Sequence, residues 1–397
     1  MFQGKAGSPR RYYPALDALR SLAIAAVVWH HSTPRQLEGW PGQGHLGVQL
    51  FFCISGFLIT RILLLDCSEY GRVRLVHFWA RRALRIFPLY YVVLAAFTLA
   101  ALLMSTRGEG VTDAVGRGFL ANFPFFVSYT SNWFVDYGVA HPVMFGFSWS
   151  LATEEQFYLT WPVLVTLLGA HRAWLAGCAL LLPFAISLLG SSAWAANMSP
   201  TGHRILASVS PCLYFGSSAA LVKDWFEEQR NLRIRAPFTR ARSRGLWALL
   251  ATLLTLLVAG FVYSPRVSFR GFEALLAVWV LTLACAEDSS WLARLGTGKF
   301  GELGRLSYAV YLFHVPVIGF FRWAIPGIRE EPLIVFPAAL LATWLAARAS
   351  QRWFEVPISR LRERWFPHAG QPRWRSRSLG SLERDSVTPF PHPPLSR

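Results

Sequence analysis

The sequence predicts an all-α fold, a polytopic bundle of about ten transmembrane helices with both termini in the cytoplasm. Hydrophobic residues make up 53% of the 397 positions and charged residues only 15%, whereas about a quarter of the residues of a soluble protein are charged. The hydrophobic residues form long blocks, each close to the roughly 20 residues with which a helix crosses a bilayer. Basic residues lie unevenly between these blocks, and this asymmetry sets the orientation.

Ten apolar blocks are the candidate spans. In chain order they are residues 16–32, 48–65, 84–103, 148–168, 175–189, 205–222, 246–262, 271–286, 306–324 and 333–347. No small-residue cleavage pattern follows the first block, and many later blocks match it. We therefore interpret it as a span and not as a cleaved signal.

The charge distribution gives the orientation. With the N-terminus inside, most of the 39 lysines and arginines fall in cytoplasmic segments, which is the positive-inside asymmetry of a multi-pass protein. We expect the inner, or plasma, membrane of the cell as its location. The net charge of +17 then follows from topology and from attraction to anionic headgroups, so we expect membrane lipid and no nucleic acid as a partner.

Three segments divide the chain. Residues 1–12 form a cytoplasmic N-terminal segment, residues 13–366 one membrane domain, and residues 367–397 a basic Pro/Ser-rich tail that we expect to be disordered. The widest outside connection, residues 105–146, is rich in aromatic residues, and we expect it to fold against the membrane face. The five cysteines show no paired spacing, which favours packing thiols over disulfides or metal ligands.

The stretch RSLAIAAVVWHH, residues 20–31, places a charge and a titratable ring at the two ends of an apolar segment. Arg20 and His31 are separated by about 20° more than three full helical turns, so both project from one face, roughly 16 Å apart along the axis. His30 faces elsewhere. Ionisable groups at membrane depth usually face a protein interior or a wet cavity, although a snorkelling arginine with a hydrogen-bonded interfacial histidine is the structural alternative.

Two further segments carry charge. In HFWARRALRIFPLYY, residues 77–91, Arg82 and Arg85 share a helix face just before the third span. Guanidinium groups suit phosphate, but a topological anchor would also use arginine.

In FSWSLATEEQFYLTWP, Glu154 and Glu155 lie in an otherwise apolar block. Adjacent positions do not both face one cavity, so at least one carboxylate should point into a polar interior.

A fourth segment, RLSYAVYLFHVPVI, places Tyr308, Tyr311 and His314 at three-residue steps. Each can touch the next along a helix, and the row forms either a hydrogen-bonded core strip or part of a site wall. Together, the four segments suit a reaction that joins a phosphate-bearing donor inside to an acceptor reached from outside.

These segments resemble the type-3 membrane acyltransferase family over residues 16 to about 365. LDALRSLAIAAVVWHH resembles the opening block of the family, an arginine, ten residues and a histidine, and this register selects His31. GVQLFFCISGFLIT resembles the second-span signature with Ser55 and Gly56. RRALRIFPLYY, SWSLATEEQFYLTWP and YAVYLFHVPV resemble the arginine block, the fourth block and the late Tyr-to-His block. Each block alone is unspecific, but five in order are specific.

The resemblance implies an O-acyltransferase, by default an O-acetyltransferase, with acyl-coenzyme A as co-substrate and no permanently bound cofactor or metal. The acceptor would be a hydroxyl of an O-antigen, an exopolysaccharide, another glycolipid or a small molecule. His31 would be the general base, and Glu154 would orient it or serve as the base itself. The donor-binding residues would be Arg20, Arg82 and Arg85, and the site-lining residues Ser55, Tyr308, Tyr311 and His314.

This chain departs from the family pattern in two respects. Family members often carry an acidic residue in the second block, where this chain has Gln49, so an acid that supports proton transfer would have to come from elsewhere or is not used. Some members are fused to a soluble extracytoplasmic esterase-like domain. We expect none here, so transfer would finish within the membrane domain or pass to a separate protein.

Two other functions are compatible with the residues. A proton-coupled transporter of a glycan or small metabolite would also use intramembrane His and Glu, although no two-half repeat is visible in the sequence. Arg82 and Arg85 discriminate between the two functions, since their loss should abolish donor binding only in a transferase. A membrane scaffold would have no use for the spacing between Arg20 and His31.

Overall fold

A computed structural model describes residues 12–33, 44–106, 110–137, 143–168, 172–190, 198–231, 269–285, 290–325, 327 and 331–366. The regular structure in these ranges is helical and includes no strand, in agreement with the all-α prediction. The helices are α1 (Pro14–Ser32), α2 (Gly44–Tyr70), α3 (Leu75–Ser105), α4 (Val111–Val127), α5 (Ser131–Phe134), α6 (Ser148–Leu168), α7 (Arg172–Gly190), α8 (Pro200–Ala207), α9 (Pro211–Asn231), α10 (Phe269–Cys285), α11 (Ser290–Thr297), α12 (Lys299–Arg305), α13 (Ser307–Ala324), α14 (Pro332–Ser350) and, after a π-helical turn (Gln351–Glu355), α15 (Val356–Trp365).

Four described stretches are long and apolar enough to cross a membrane. They are Gly44–Tyr70, Leu75–Ser105, Pro200–Glu228 and Pro332–Trp365. A fifth is obtained if Lys299–Arg305 and Ser307–Ala324, which meet at 81°, form one broken span. The chain is therefore a multi-pass membrane protein.

The count of ten spans and the cytoplasmic termini stay predictions. Every predicted apolar block overlaps a described helix, except residues 246–262, which lie outside the described residues. Residues 1–11 and the predicted tail, residues 367–397, also lie outside them. The helices α1, α6, α7 and α10 coincide with predicted blocks, but they are not among the stretches that qualify as full spans.

The two ends of α1 are fixed by local chemistry. Pro14 occupies the first turn, where its missing N–H leaves no hydrogen bond unmade. At the other end the hydroxyls of Ser32 and Thr33 donate to the carbonyls of Val28 and Trp29 at 2.7 and 2.9 Å. The backbone N–H of Thr33 also bonds the Trp29 carbonyl, at 3.0 Å, so side-chain and backbone donors together cap the end of α1, which is one continuous helix from Arg20 to His31.

Helix α2 lies at the centre of the bundle and packs closely on α9. A Cβ atom added to Gly56 would lie 1.9 Å from the carbonyl oxygen of Leu213, and one added to Gly216 would lie 2.1 Å from that of Cys53. The two glycines therefore let the two backbones approach each other, as small residues do between membrane helices. This contact fixes the face of α2 that lies opposite α9.

The predicted outside connection, residues 105–146, contains more regular structure than a loop. It includes α4, and the hydroxyls of Tyr90 and Tyr91 on α3 donate to the carbonyls of Phe126 and Val127 at its end, at 2.8 and 3.0 Å. Phe119 and Phe126 are buried and stacked, with ring centroids 5.2 Å apart. The aromatic residues that marked this segment in the sequence thus pack α4 against α3.

The cysteines are packing residues, as predicted. All five are free, and Cys53, Cys67 and Cys212 are buried. No group of three His, Cys, Asp or Glu side chains is placed to hold a metal ion in the described part of the chain.

Candidate functional site

Six helices, α1, α2, α3, α6, α12 and α13, surround a cavity of about 200 Å³, which we call the central cavity. Most of the candidate site residues line it. They are Arg20, Ser55, Arg82, Arg85, Glu154, Tyr308 and Tyr311. The other two candidates, His31 and His314, do not line it. The fold thus gathers in one place side chains that the sequence separates by almost 300 positions.

Helical register explains why these side chains meet. On α6, Ser150, Glu154 and Tyr158 follow one another at four-residue steps, and all three line the central cavity. On α3, Arg82 and Arg85 are one turn apart. Residues three or four positions apart share one side of a helix, so each helix presents a narrow polar stripe to the cavity.

Glu154 is held on both oxygens. The hydroxyl of Ser55 donates to Oε1 and the hydroxyl of Tyr158 donates to Oε2, each over 2.9 Å. These bonds lower the cost of burying the carboxylate and fix its orientation towards the cavity. The adjacent Glu155 is buried and does not line the cavity, as the 100° step between neighbouring positions requires.

Arg82 and Arg85 bring positive charge into the cavity without a carboxylate at ion-pair distance among the described residues. The guanidinium carbon of Arg82 lies 5.7 Å from the ring centre of Phe78 and 5.5 Å from that of Tyr158. Aromatic faces attract a guanidinium group weakly and leave its N–H donors available. An anionic ligand would supply the missing negative charge.

Arg20 is bound to the start of its own helix. Its Nη1 donates to Oδ1 of Asp17 over 3.4 Å, and the hydroxyl of Tyr12 donates to Oδ2 of the same carboxylate over 2.5 Å. Partial burial and the bond to the Asp17 carboxylate raise the pKa of Tyr12 above its usual value, so this phenol remains a donor. Arg20 also lines the central cavity.

His31 lies outside the central cavity, in a row of rings formed by His30, His31 and His314, which we call the histidine row. The ring of His31 is edge-on to that of His30 at 5.1 Å and to that of His314 at 4.7 Å. Nδ1 of His31 lies 3.0 Å from the carbonyl oxygen of Val27. A carbonyl only accepts, so Nδ1 carries the hydrogen and Nε2 is left as the basic nitrogen.

Tyr311 connects the central cavity with the histidine row. Its hydroxyl lies 2.6 Å from the hydroxyl of Ser150 and donates to the carbonyl of Phe147 at 3.0 Å. Its ring lies 5.3 Å from that of His314. His314 is completely buried, Nδ1 bonds the carbonyl of Tyr311, and Nε2 has no hydrogen-bond partner. Tyr311 thus lines the cavity and contacts His314, and His314 in turn contacts His31.

Two residues of this region were missed in the sequence. Tyr158 follows Glu154 by four residues, and this spacing was the signal that could have identified it. Glu273 on α10 lies beside Gln49, with Oε1 3.5 Å from the Gln49 Nε2. No sequence pattern joins positions 49 and 273, so only the fold reveals that a carboxylate accompanies Gln49.

A second cavity, of about 220 Å³, adjoins the first, since Ile62, Arg82 and Arg85 line both. We call it the arginine cavity. Its other wall residues are Asp66, His77, Phe78, Arg81 and Arg362. Each cavity carries four arginines and one carboxylate, but the first also has many apolar and aromatic wall residues, whereas Ile62 and Phe78 are the apolar wall residues of the second.

The comparisons with known proteins agree with this geometry. The chain matches the family model described as "Acyltransferase domain" over residues 13–348. It is 29% identical over 377 residues to the peptidoglycan O-acetyltransferase OatA of Listeria monocytogenes serovar 1/2a, covering 88% of this chain and 56% of that protein. It is 28% identical over 364 residues to the protein named "Putative peptidoglycan O-acetyltransferase YrhL" of Bacillus subtilis strain 168, covering 88% and 55%.

The chain spans little more than half the length of these curated relatives, and no solved structure matches it significantly. The family match includes every residue that lines the central cavity. It ends before α15, which contributes Arg362 to the arginine cavity. The chain belongs to the type-3 acyltransferase family, as the five sequence blocks predict.

Proposed function

We propose that the chain is an integral-membrane O-acyltransferase that moves an acyl group, by default acetyl, from cytoplasmic acyl-coenzyme A to a hydroxyl of a cell-envelope saccharide. This proposal rests mainly on one observation. The central cavity joins two arginines, which have no carboxylate at ion-pair distance among the described residues, to a fixed carboxylate and a row of aromatic side chains. Enzymes that transfer a group from a phosphate-bearing carrier need both kinds of surface.

The donor is inferred from charge. Arg82 and Arg85 are cationic and line the cavity, and no described carboxylate lies at ion-pair distance to supply their counter-charge. The phosphates of coenzyme A would provide that charge in a geometry that guanidinium groups bind well. The pantetheine arm would then extend along the apolar wall, and the thioester would lie near Glu154 and Tyr311.

The chemistry follows from the same arrangement. The acceptor hydroxyl oxygen attacks the thioester carbonyl carbon, and Nε2 of His31 takes the hydroxyl proton. The carbon–sulfur bond then breaks, the coenzyme leaves as a thiolate that is protonated, and the new ester stays on the acceptor. Since His31 lies beyond the cavity wall formed by Tyr311, the acceptor enters from the histidine side. Glu154 holds its position beside the thioester and is the alternative base.

The acceptor and the membrane orientation belong to the same proposal. The relatives are named for O-acetylation of peptidoglycan, which makes a peptidoglycan saccharide or its lipid-linked precursor the first acceptor to test. We place the arginine end at the cytoplasmic face of the inner membrane, with ten spans and both termini inside. The donor would then be loaded from the cytoplasm and the acceptor from outside.

The test uses purified protein in lipid nanodiscs and radiolabelled acetyl-coenzyme A. Wild-type protein should bind the donor and label a crude cell-envelope glycan extract. Arg82→Gln should lose donor binding, because the amide carries no charge. Arg72→Gln is the matched control, since Arg72 is an exposed arginine of the same cytoplasmic segment that lines neither cavity.

The outcomes separate the candidate functions. Label in the glycan with wild type and Arg72→Gln, but not with Arg82→Gln, supports the transferase, and mass spectrometry of the product names the acceptor. If folded wild-type protein binds no acyl-coenzyme A, the transferase proposal fails and a proton-coupled transporter becomes the leading function. If Arg82→Gln and Arg72→Gln lose donor binding and glycan labelling to the same extent, the arginines act only in membrane topology.

A further inference from the structure

The arginine cavity has a wall that the family match does not include. The match ends at residue 348, whereas Arg362 lies on α15, which starts at Val356. Helix α14 continues into α15 through the π-helical turn Gln351–Glu355. A π-helical segment changes the direction of the side chains that follow it and is frequent at functional sites. The chain beyond the shared domain therefore contributes to the cavity.

Two contacts hold the end of α15 against α3. A guanidinium N–H of Arg81 donates to the carbonyl oxygen of Phe366. The ring of His77 lies edge-on to the ring of Phe366, with centroids 5.6 Å apart. Arg81 and His77 also line the arginine cavity, so the residues that dock α15 are the same ones that face the enclosed space.

The wall of this cavity has excess positive charge. It carries four arginines, Arg81, Arg82, Arg85 and Arg362, and one carboxylate, Asp66. Asp66 lies 3.7 Å from a further arginine, Arg74, and so contributes little negative charge to the cavity. A cavity lined by one sign of charge attracts the opposite sign strongly.

Arg362 is suited to bind an anion. Its side chain is 17% exposed, and its nearest carboxylate, that of Glu363, lies 4.0 Å away. Its Nε is buried and has no hydrogen-bond partner among the described residues. A buried, incompletely bonded guanidinium group is costly unless a ligand completes it.

We propose that the arginine cavity binds the phosphate-bearing nucleotide end of the donor and that Arg362 of α15 is one of its phosphate ligands. Arg82 and Arg85, which line both cavities, hold the junction. The acyl-pantetheine arm enters the central cavity, which has many apolar and aromatic wall residues. This assignment rests on the proposed function and adds to it a binding residue that lies outside the shared domain.

The phosphate has two sources. An anionic lipid headgroup carries the same chemistry as the nucleotide and could reach a cavity near the membrane surface. We commit to the nucleotide because the arginine cavity is continuous with the central cavity through two shared arginines. The lipid composition of the assay distinguishes the two.

The test measures acetyl transfer in phosphatidylcholine nanodiscs, with and without added phosphatidylglycerol. Arg362→Gln should raise the KM for acetyl-coenzyme A about tenfold, which is the loss of one charged hydrogen bond, and leave kcat unchanged. It should weaken inhibition by adenosine 3′,5′-bisphosphate by a similar factor. The KM of Arg362→Lys should lie between those of wild type and Arg362→Gln, since lysine keeps the positive charge but lacks the planar guanidinium group that binds two phosphate oxygens at once.

The controls come from the same helix. Arg360 and Arg364 are exposed, flank Arg362 and do not line the cavity, so Arg360→Gln and Arg364→Gln should behave as wild type. An equal KM increase in all three variants would indicate general attraction and overturn the assignment. An effect of Arg362→Gln that requires phosphatidylglycerol would assign the cavity to a lipid headgroup instead.

The two proposals fail in different ways. If wild-type protein turns over acetyl-coenzyme A and Arg362→Gln has the same KM and the same inhibition constant, only the role of Arg362 is wrong. If folded wild-type protein neither binds nor consumes any acyl-coenzyme A, the proposed function is wrong and this assignment is lost with it.

Discussion

The central cavity and the histidine row lie towards the two ends of α1, and they differ in kind. The cavity end is charged, with Arg20, Arg82 and Arg85 set against Glu154. The other end consists of imidazole rings in edge-on contact, and His31 is the member of the row that follows Arg20 by eleven positions. One helix thus connects a charged cavity with a row of imidazole rings.

Two residues on the same face of a helix therefore need not line the same cavity. Arg20 and His31 project from one side of α1, yet Tyr311 and His314 separate them. If the protein is a transferase, donor binding and proton transfer are therefore carried by separate regions. Substitutions of the arginines Arg82 and Arg85 in the cavity should mainly raise the KM for the donor, and substitutions in the row should mainly lower kcat.

The largest effect is expected in the histidine row. His31→Ala should lower kcat for acetyl transfer by more than about 100-fold, the usual contribution of a general base. The KM for acetyl-coenzyme A should stay near the wild-type value because His31 does not line the central cavity. Steady-state kinetics with the glycan acceptor measure both constants.

The control for His31→Ala is His30→Ala. His30 is the neighbouring histidine, and its Cβ packs against Gly44, where an added Cβ would lie 2.3 Å away. The kcat of His30→Ala should remain within a few-fold of wild type. Equal loss in the two variants would contradict a specific role for His31 and reduce the row to a packing element.

The second effect tests the carboxylate. Glu154→Gln keeps the shape and the bond from one of the hydroxyls of Ser55 and Tyr158, but it removes the charge. We expect kcat to fall about tenfold, less than for His31→Ala, because in the proposed mechanism Glu154 orients the site and His31 takes the proton. A larger loss in Glu154→Gln than in His31→Ala would make Glu154 the base and would reverse the comparison.

The sequence predicts much of this site because each part of it is local to one helix. Register alone pairs Arg82 with Arg85 and Tyr308 with Tyr311, and the cost of buried charge predicts that at least one of the two glutamates faces a polar interior. The resemblance to the family then indicates Glu154. The family blocks then place all of these in one protein. The helical class of the fold follows equally directly from the length of the apolar blocks.

The rest of the site depends on contacts between helices that are distant in sequence, and no local sequence pattern contains these contacts. That Tyr311 stands between Arg20 and His31 requires the packing of α13 against α1. Glu273 reaches Gln49 from a helix more than 200 positions later. The sequence predicts only a connection where the structure has α4. Its aromatic residues FPFFV are compatible with a membrane surface as well as with a helix that packs on α3.

The third effect concerns the support of the cavity. Gly56→Ala should destabilise the protein by about 1–3 kcal/mol, the usual cost of overpacking, because the new Cβ would meet the Leu213 carbonyl at 1.9 Å. Thermal unfolding in detergent measures the loss. Gly177→Ala on α7 is the control, since nothing lies within 4 Å of an added Cβ there, and it should be neutral or slightly stabilising.

The smallest effect separates positioning from chemistry within the cavity. Ser55→Ala removes one of the two hydrogen bonds to Glu154, a loss worth about 1 kcal/mol, so kcat should fall only a few-fold. Tyr158→Phe removes the other bond and should lower kcat by a similar factor. The control is Ser68→Ala, since Ser68 is an exposed serine on α2, the helix of Ser55, and this variant should keep the wild-type kcat. If the two bonds hold one carboxylate in one orientation, the double variant should lose more than the product of the single losses, because the first bond removed leaves Glu154 still aligned by the second. A strictly multiplicative loss would mean that Ser55 and Tyr158 act on something other than the shared carboxylate.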